Sequence, residues 1–399
     1  MTKTVVLAFS GGLDTSYCVL RLKEDGYRVF TYYVHSGSAD PEAEAHIAAR
    51  SKELGAEEHR TVDAGDELWD EIVIPFLAGG ARRQARYPVL CADRYLIARH
   101  GVAIADEVGA DAIAHGCTGM GNDQVRFDVS FAALTDRKIF APIRDIQDKE
   151  NVRAYEMAFL QERGFEVPER ASRFSVNENL LGATLSGGPI DRWETPEDDA
   201  RVMTAKPADW PKSSLDLTIR FEKGVPTAVN GEAMSGAQLL KTLNERLGHY
   251  GVGYDIYTGD TLVGLKGRIV FECPGIAALE RAHTALCESV SSSAQNGFRR
   301  QVGEAWCDLI YDGRYFDPLR DDLEAYLASS QSRTTGDVTL RTSGGNVHAV
   351  AVNSPLILQR TDSVYAQKAA WSGVAAEGFT MLSGQSTQLW HKMGRAAEK

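Results

Sequence analysis

The sequence predicts an α/β protein with a doubly wound, mostly parallel sheet, followed by an α+β region. Three observations predict this fold. Strand-like and helix-like segments alternate over roughly the first 165 residues, as they do in βαβ units. The first apolar run leads directly into a Ser-Gly-Gly turn and a helix. After residue 214 the pattern changes to hairpins separated by helices.

The elements of the first region follow one another in short connections. We predict strands at 5–9, 27–34, 111–115 and 139–143, and helices at 41–54, from 122 onward, and at 151–163. Pro41 suits the first turn of its helix, and Gly164 ends the last one. Because parallel strands bring their carboxyl ends to one edge of the sheet, we expect the loops after the strands to meet there.

The second region begins with an expected long connection at 168–214, which is rich in proline and glycine and has few periodic segments. We then predict a hairpin at 214–229, a helix at 238–249, a strand at 264–271, helices between 277 and about 328, and a second hairpin at 337–352. The tail at 375–399 has helical spacing and is either packed on another subunit or solvated. The predicted domains are therefore 1–165, 166–365 and a tail at 366–399.

Composition excludes several classes of protein. The 399 residues carry a formal net charge of −12 and no lysine- or arginine-rich run, which argues against a nucleic-acid partner. Six cysteines without a C-x-x-C spacing give no support for a zinc site or redox pair. No stretch of 18 apolar residues predicts a membrane span, and the N-terminus lacks a signal-peptide core. Free thiols without a signal predict a cytoplasmic protein.

The most informative segment is the run from Ala8 to Ser16, AFSGGLDTS. Two glycines let the backbone turn tightly, so that amide groups at the start of a helix face an anion. Ser10, Thr15 and Ser16 add hydroxyl donors. The simpler alternative is a strand-to-helix turn that merely uses serine and glycine. The whole nonamer after the first strand favours a pyrophosphate-binding loop.

The loop does not match the two commonest phosphate motifs. It lacks the G-x-x-x-x-G-K-[ST] spacing and the G-x-G-x-x-G spacing. Asp14 lies within it, and a carboxylate there repels a phosphate unless a cation lies between them. The sequence therefore predicts a Mg²⁺ ion between Asp14 and the phosphates.

A second glycine-rich loop, HGCTGMGNDQVRF at 115–127, follows the strand at 111–115. Asn122 and Arg126 are four residues apart on one helix face, where an amide and a guanidinium suit the carboxylate of an amino acid. Asp123 suits an ammonium group. The alternative is a helix cap at Asn122 with an exposed helix face. Cys117 is interpreted as a packing residue, because the adjacent His115 should point elsewhere.

These motifs carry a family resemblance. The first loop resembles the pyrophosphate loop of the N-type ATP pyrophosphatases, and the second resembles the signature of the argininosuccinate synthase family. Further similar segments are APIR at 141–144, SVNENL at 175–180 and GLKGR at 264–268 with Glu272. The resemblance implies a ligase that joins citrulline to aspartate through a citrullyl-adenylate and releases AMP and pyrophosphate. It also implies a homotetramer and a place in arginine biosynthesis.

The resemblance implies roles for particular residues. It implies that ATP is held by Ala8, Phe9, Ser10, Gly11, Gly12, Leu13, Asp14, Thr15, Ser16 and Gly116. It implies that aspartate is held by Thr118, Asn122 and Asp123. It implies that citrulline is held by Tyr87, Asn122, Arg126, Ser175, Thr184, Asp260 and Phe271. Among these, Asp14, Asp123 and Arg126 are the predicted catalytic residues, and the metal ligands stay unknown.

The chain departs from the family pattern in several places. Met120 replaces the usual lysine of the second loop, and Ala92 replaces a serine that helps to hold citrulline. Gly259 replaces a glutamate, for which Asp260 is the expected substitute, and Phe271 replaces a tyrosine. These last three changes touch the citrulline site. They leave two interpretations open: a divergent subgroup with the same substrate, or an acceptor that is a relative of citrulline.

Other functions are less well supported by the residues. A tRNA thiolase would need a basic face and paired reactive cysteines. A glutamine-dependent synthetase would need a cysteine nucleophile, often N-terminal, and here Thr2 follows Met1. A non-catalytic ATP-sensing module would leave Asn122, Asp123 and Arg126 unexplained.

Overall fold

The structure is a computed structural model that describes residues 2–37, 41–167, 174–198 and 200–397. Of the predicted connection at 168–214, residues 168–173 and Asp199 lie outside the described residues. The chain forms two compact units, Met1–Leu356 and Ile357–Lys399.

The first half of the larger unit contains a five-stranded sheet in the order β3-β2-β1-β4-β5, with every neighbouring pair parallel. Its strands are β1 (Thr4–Ala8), β2 (Arg28–His35), β3 (Glu58–Asp63), β4 (Ala112–Ala114) and β5 (Lys138–Phe140). The predicted parallel α/β fold is confirmed, although β3 was not predicted.

Helices lie on both faces of this sheet. They are α1 (Leu13–Glu24), α2 (Pro41–Glu53), α3 (Gly65–Leu68), α4 (Ile74–Gly79), α5 (Asp93–Glu107), α6 (Asn122–Leu134) and α7 (Val152–Glu162). A π turn at Trp69–Val73 joins α3 to α4, and a 3₁₀ turn covers Pro142–Ile146. Val5 and Leu7 pack in one core with α1 and α7, whereas Val6 packs in another with α5. The apolar run of β1 is continuous because both of its faces are buried.

The strand order reverses beside β1, which is where ligands bind in open α/β sheets. β1 connects outward to β2 and β3 on one side, and β4 lies on its other side. The loops that follow β1 and β4 therefore leave the same edge of the sheet on adjacent strands. These are the two loops that the sequence singles out.

Two predicted elements end earlier than expected. The strand predicted at 139–143 ends at Phe140, because Pro142 starts the 3₁₀ turn. The strand predicted at 111–115 ends at Ala114, after which the second loop begins.

The second half of the larger unit contains two antiparallel sheets, in the orders β10-β9-β8-β13-β14 and β11-β12-β7-β6. Their strands are β6 (Ser175–Asn179), β7 (Gly182–Ser186), β8 (Leu215–Glu222), β9 (Val225–Val229), β10 (Glu232–Ala233), β11 (Tyr254–Asp260), β12 (Lys266–Glu272), β13 (Gly336–Ser343) and β14 (Asn346–Asn353). Both predicted hairpins are confirmed. The prediction of a long connection at 168–214 was wrong in part, because β6 and β7 form a hairpin within it.

Among the described residues of this half, four α-helices and a 3₁₀ turn at Pro207–Asp209 join the strands. The helices are α8 (Gly236–Gly248), α9 (Pro274–Val290), α10 (Ser293–Tyr311) and α11 (Pro318–Ser330). Ser235 caps α8 through a reciprocal capping box with Gln238. α10 packs on α4, where Gly79 and Gly303 allow the backbones to approach closely. The last residue of α10, Tyr311, contacts Asn122 and Arg126 of α6.

The smaller unit contains α12 (Gly373–Ser383) and α13 (Gln385–Ala397), as the helical spacing of the tail predicts. It exposes large apolar side chains, among them Phe379, Leu382, Trp390 and Met393. Within the described ranges, no helix is long and apolar enough to cross a membrane.

Candidate active site

The first loop has the geometry of an anion-binding turn. Gly11 has φ +76°, a conformation that favours glycine, and Gly12 is the extended N-cap residue of α1. The first backbone amide to close the helix is that of Ser16, which donates to the Gly12 carbonyl at 3.0 Å. The preceding amides therefore have no partner within the helix and point out of its N-terminus, where the helix dipole favours negative charge. The hydroxyls of Ser10 and Thr15 lie 3.4 Å apart beside them.

Asp14 of this loop meets an acidic residue that the sequence did not reveal. Glu156 of α7 is 1% exposed, and its Oε1 has no hydrogen-bond donor among the described residues. Burial raises the pKa of Asp14, and the neighbouring Arg153 partly offsets this effect. Burial and the Asp14 carboxylate raise the pKa of Glu156 to about 8. The two carboxyl groups can share a hydrogen bond only when one of them holds a proton.

This pair predicts a pH dependence of stability. Folded Glu156 keeps its proton up to a pKa of about 8, whereas the unfolded residue releases it near 4.5, so stability is lost as the pH rises through this window. Glu156→Gln stays neutral throughout. Without ATP and Mg²⁺, we expect its Tm to equal that of the wild type at pH 5 and to exceed it by roughly 2–4 °C at pH 8.5. Parallel pH profiles of Tm for the two proteins would contradict the assignment.

The second loop lies directly against the first. A Cβ at Gly116 would stand 3.0 Å from Thr15 Cγ2 and 3.5 Å from the Thr15 amide nitrogen. A side chain at 116 would therefore require the Thr15 side chain to shift by a few tenths of an ångström. The placement of Gly116 near the nucleotide stays a prediction.

A buried histidine holds the start of the second loop. Nδ1 of His115 accepts from the Cys117 amide at 3.1 Å, so Nε2 carries the proton and donates to Asp128 at 2.8 Å. Arg144 donates to the other oxygen of Asp128 at 2.5 Å. Burial lowers the pKa of His115, although the hydrogen bond to Asp128 acts in the opposite direction. The lowered pKa keeps the imidazole neutral. The His115 side chain therefore connects the start of the second loop to Asp128, and its Nδ1 is occupied by the Cys117 amide and is not free to act as a base for the Cys117 thiol.

Asp123 stands at the centre of a set of charges. Its Oδ2 accepts from Arg94 Nε at 3.0 Å, and its Oδ1 accepts from Arg126 Nη1 at 2.6 Å. Arg94 also donates to both oxygens of Asp93. Burial raises the pKa of Asp123, but the two guanidinium groups outweigh it and bring the pKa to about 2. The four side chains sum to zero charge, and Asp123 is ionised at every physiological pH.

Tyr311, the last residue of α10, contacts two of the predicted substrate residues. Its hydroxyl accepts from Asn122 Nδ2 at 3.0 Å. Its carbonyl accepts from Arg126 Nε at 3.1 Å and from Arg126 Nη2 at 2.9 Å. Oδ1 of Asn122 accepts from the Leu262 amide at 2.8 Å, which fixes the orientation of the side-chain amide.

An aromatic cluster forms the neighbouring wall. Tyr87 is buried and stacks on Tyr257, with ring centroids 5.2 Å apart and planes at 28°. Phe271 and Tyr311 meet the same ring edge-on at 5.8 and 6.0 Å. The chain reaches Tyr87 through left-handed backbone at Gln84 and Ala85, which glycine would adopt more readily. Such strain is concentrated at functional sites.

The structure brings some predicted citrulline residues together and leaves others apart. Thr184 pairs with Phe271 across neighbouring strands, and the Asp260 carbonyl accepts from the Tyr311 hydroxyl at 3.4 Å. The Asp260 carboxylate instead forms an ion pair with Lys266 at 2.6 Å and is half-exposed. Ser175 is exposed at the start of β6. The roles of these residues stay predictions.

The departures from the family pattern have structural correlates. Ala92 is fully buried before α5, so the polar contacts there come from the next residues, Asp93 and Arg94. A Cβ at Gly259 would stand 2.2 Å from the Tyr257 hydroxyl, so any side chain at 259 displaces that ring. Met120 is 61% exposed and contributes nothing to the core. A glycine at 259 therefore leaves the space that the Tyr257 ring occupies when it stacks on Tyr87.

Two family models match the chain. The arginosuccinate synthase N-terminal HUP domain matches residues 4–166, and the arginosuccinate synthase C-terminal domain matches residues 174–390. The argininosuccinate synthase of Xanthomonas campestris pv. campestris is 49% identical over 395 residues, which cover 99% of this chain and 100% of the relative. That of Xanthomonas axonopodis pv. citri is 48% identical over 99% and 96%. That of Methanocaldococcus jannaschii is 37% identical over 91% and 92%.

Proposed function

The chain belongs to the argininosuccinate synthase family, and we propose which of its residues carry out that family's ATP-dependent ligation of citrulline and aspartate. The single observation that supports the assignment is the direct contact of the two loops at the point where the strand order reverses. One loop offers amides and hydroxyls for phosphates, and the other leads into the charged set around Asp123.

On the ATP side, we assign the β- and γ-phosphates to the first loop. The first amides of α1 have no acceptor within the helix, and the hydroxyls of Ser10 and Thr15 lie 3.4 Å apart in the same loop. They neutralise charge that develops as the bond between the α- and β-phosphates breaks. Gly116 has no side chain, which lets the second loop approach Thr15 of the first loop closely.

The residues beside the loop fit a magnesium ion. Asp14 and Glu156 are paired carboxyl groups, and Oε1 of Glu156 has no donor in the described part of the chain. Hard oxygen ligands of this kind are those that Mg²⁺ prefers, usually together with substrate phosphates. When bound, the ion would supply positive charge to the phosphate oxygens. We propose Asp14 as its main protein ligand.

On the amino-acid side, we assign aspartate to Thr118, Asn122 and Asp123, and citrulline to the wall around Tyr87 with Arg126. The ureido oxygen of citrulline is a poor leaving group until it is adenylated. No protein nucleophile is needed, because the aspartate amine displaces AMP. The chain's contribution is to align three ligands and to exclude water.

A product assay tests the assignment. Purified protein is incubated with ATP, Mg²⁺, citrulline and aspartate, and each component is omitted in turn. We expect AMP, pyrophosphate and argininosuccinate only in the complete mixture. Pyrophosphate that depends on aspartate but not on citrulline would redirect the search to another acceptor, because Ala92, Gly259 and Phe271 lie on that side of the site.

We also propose that the protein is cytoplasmic and forms a homotetramer. We propose domain boundaries in each chain at 165/166 and 365/366. The six cysteines are all unpaired in the structure, in keeping with a reducing compartment. The exposed apolar side chains of α12 and α13 suit contact with another subunit. Light scattering tests the assembly by giving the number of subunits in solution before and after removal of residues 366–399. An unchanged number of subunits after the removal would refute the role of the tail.

A further inference from the structure

We propose that Tyr311 is a positioning residue for the amino-acid side of the site: it orients the Asn122 amide and holds the Arg126 guanidinium. The proposal rests on the proposed function, because it assigns Asn122 and Arg126 to the substrates. Tyr311 belongs to α10, a helix of the second half of the larger unit, and contacts both residues of α6.

The hydroxyl of Tyr311 determines how Asn122 presents its amide. The Leu262 amide donates to Oδ1, so this end of Asn122 must be the oxygen. Nδ2 then donates one hydrogen to the Tyr311 hydroxyl, and that hydroxyl donates onward to the Asp260 carbonyl. The second hydrogen of Nδ2 is left for a substrate carboxylate. Without the hydroxyl, the Asn122 side chain is held at one end only.

The carbonyl of Tyr311 acts on Arg126 independently of the side chain. It is one of the last carbonyls of α10, which have no partner within the helix. Arg126 satisfies it with two nitrogens, while the third donates to Asp123. The negative end of the helix dipole therefore faces a fully charged, 97% buried guanidinium, since Arg126 is 3% exposed.

The ring of Tyr311 completes the arrangement. The guanidinium carbon of Arg83 lies 4.9 Å from the ring centroid, and that of Arg126 lies 5.0 Å from it. The ring also meets Tyr87 and Tyr257 edge-on. Tyr311 therefore contacts Asn122 through its hydroxyl and the aromatic wall through its ring. A variant that lacks only the hydroxyl loses the bond that orients Asn122 and keeps the packing of the ring.

Tyr311→Phe tests the proposal, since it keeps the ring and the backbone carbonyl. We expect the KM for aspartate to rise about 10-fold, as the loss of one or two neutral hydrogen bonds allows, while kcat falls less than about 3-fold. The affinity for ATP, measured by titration calorimetry, should stay within about twofold of the wild type. In an Asn122→Ala background, Tyr311→Phe should have no further effect on the KM for aspartate.

Tyr315→Phe is the matched control. Tyr315 is buried four residues further along, and its hydroxyl donates to Glu71 at 2.5 Å, away from the predicted substrate residues. It should leave every KM unchanged. An unchanged KM for aspartate in Tyr311→Phe, or an equal loss of ATP affinity, would overturn the inference alone. A wild type that makes no argininosuccinate would overturn the proposed function and the inference with it.

Discussion

Replacing Asp123 with asparagine is expected to lower argininosuccinate formation by at least about 100-fold while leaving ATP binding within about threefold of the wild type. The carboxylate accepts from Arg94 and from Arg126 on separate oxygens. An amide in its place turns an NH₂ group toward one guanidinium. Arg94 keeps the Asp93 carboxylate, but Arg126 is left with neutral acceptors such as the Tyr311 carbonyl. Both the substrate ammonium and Arg126 would lose their counter-charge.

The same change should also destabilise the fold. Removing one partner of a fully buried ion pair costs about 3–5 kcal/mol, and because the Asp123 side chain is 26% exposed we expect a smaller cost, about 2–3 kcal/mol. The pKa of Asp123 is about 2, so the residue is ionised throughout the assay range and the deficit should be constant from pH 6 to pH 9. Chemical denaturation and initial rates at several pH values measure the two effects.

Asp106→Asn is the matched control for this prediction. Asp106 forms an ion pair with Arg137 at 2.6 Å, but its side chain is 63% exposed and lies at the C-terminal end of α5, the end opposite to Asp93 and Arg94. Exposed pairs contribute about 0–1 kcal/mol, so stability and rate should hardly change. Full aspartate-dependent turnover in Asp123→Asn would remove Asp123 from the site.

The parallel sheet could be predicted because its signals are local. The buried run of β1, the glycines after it and the caps of the helices each act within a few residues. β3 was not predicted because it is an edge strand of exposed and half-buried, mostly polar residues and not a continuous apolar run. The β6–β7 hairpin escaped because prolines and glycines on both sides of it resemble a loop.

The candidate site divides in the same way. Gly11, Gly116 and Asp123 belong to compact motifs, and their placement follows from two strand-to-helix loops on one edge. Tyr311 and Glu156 approach from distant helices, and nothing in their local sequence marks them. Arg94 belongs to neither glycine-rich loop, although its bond to Asp123 makes it part of the charged set. Long-range packing, which a pattern of a few residues does not contain, decides these contacts.

Replacing Asp14 with asparagine is expected to have the second large effect. It should reduce the gain in ATP affinity that Mg²⁺ produces. A carboxylate in a phosphate loop opposes bound ATP unless a cation screens it. With EDTA present, the variant should therefore bind ATP at least as tightly as the wild type. With Mg²⁺, we expect the wild type to gain at least about 10-fold in affinity and the variant less than about threefold. Turnover with Mg²⁺ should fall about 100-fold.

The contrast between the two conditions separates a metal ligand from a structural acid. If Asp14 served only to hold Glu156 and Arg153 in place, its loss would weaken ATP binding equally with and without Mg²⁺. Asp25→Asn at the other end of α1 is the control, because Asp25 pairs with Arg21 at the exposed surface at 2.9 Å. It should leave both affinities unchanged. Equal magnesium dependence in Asp14→Asn and the wild type would move the ion away from Asp14 and leave the phosphates to the backbone amides of the first loop.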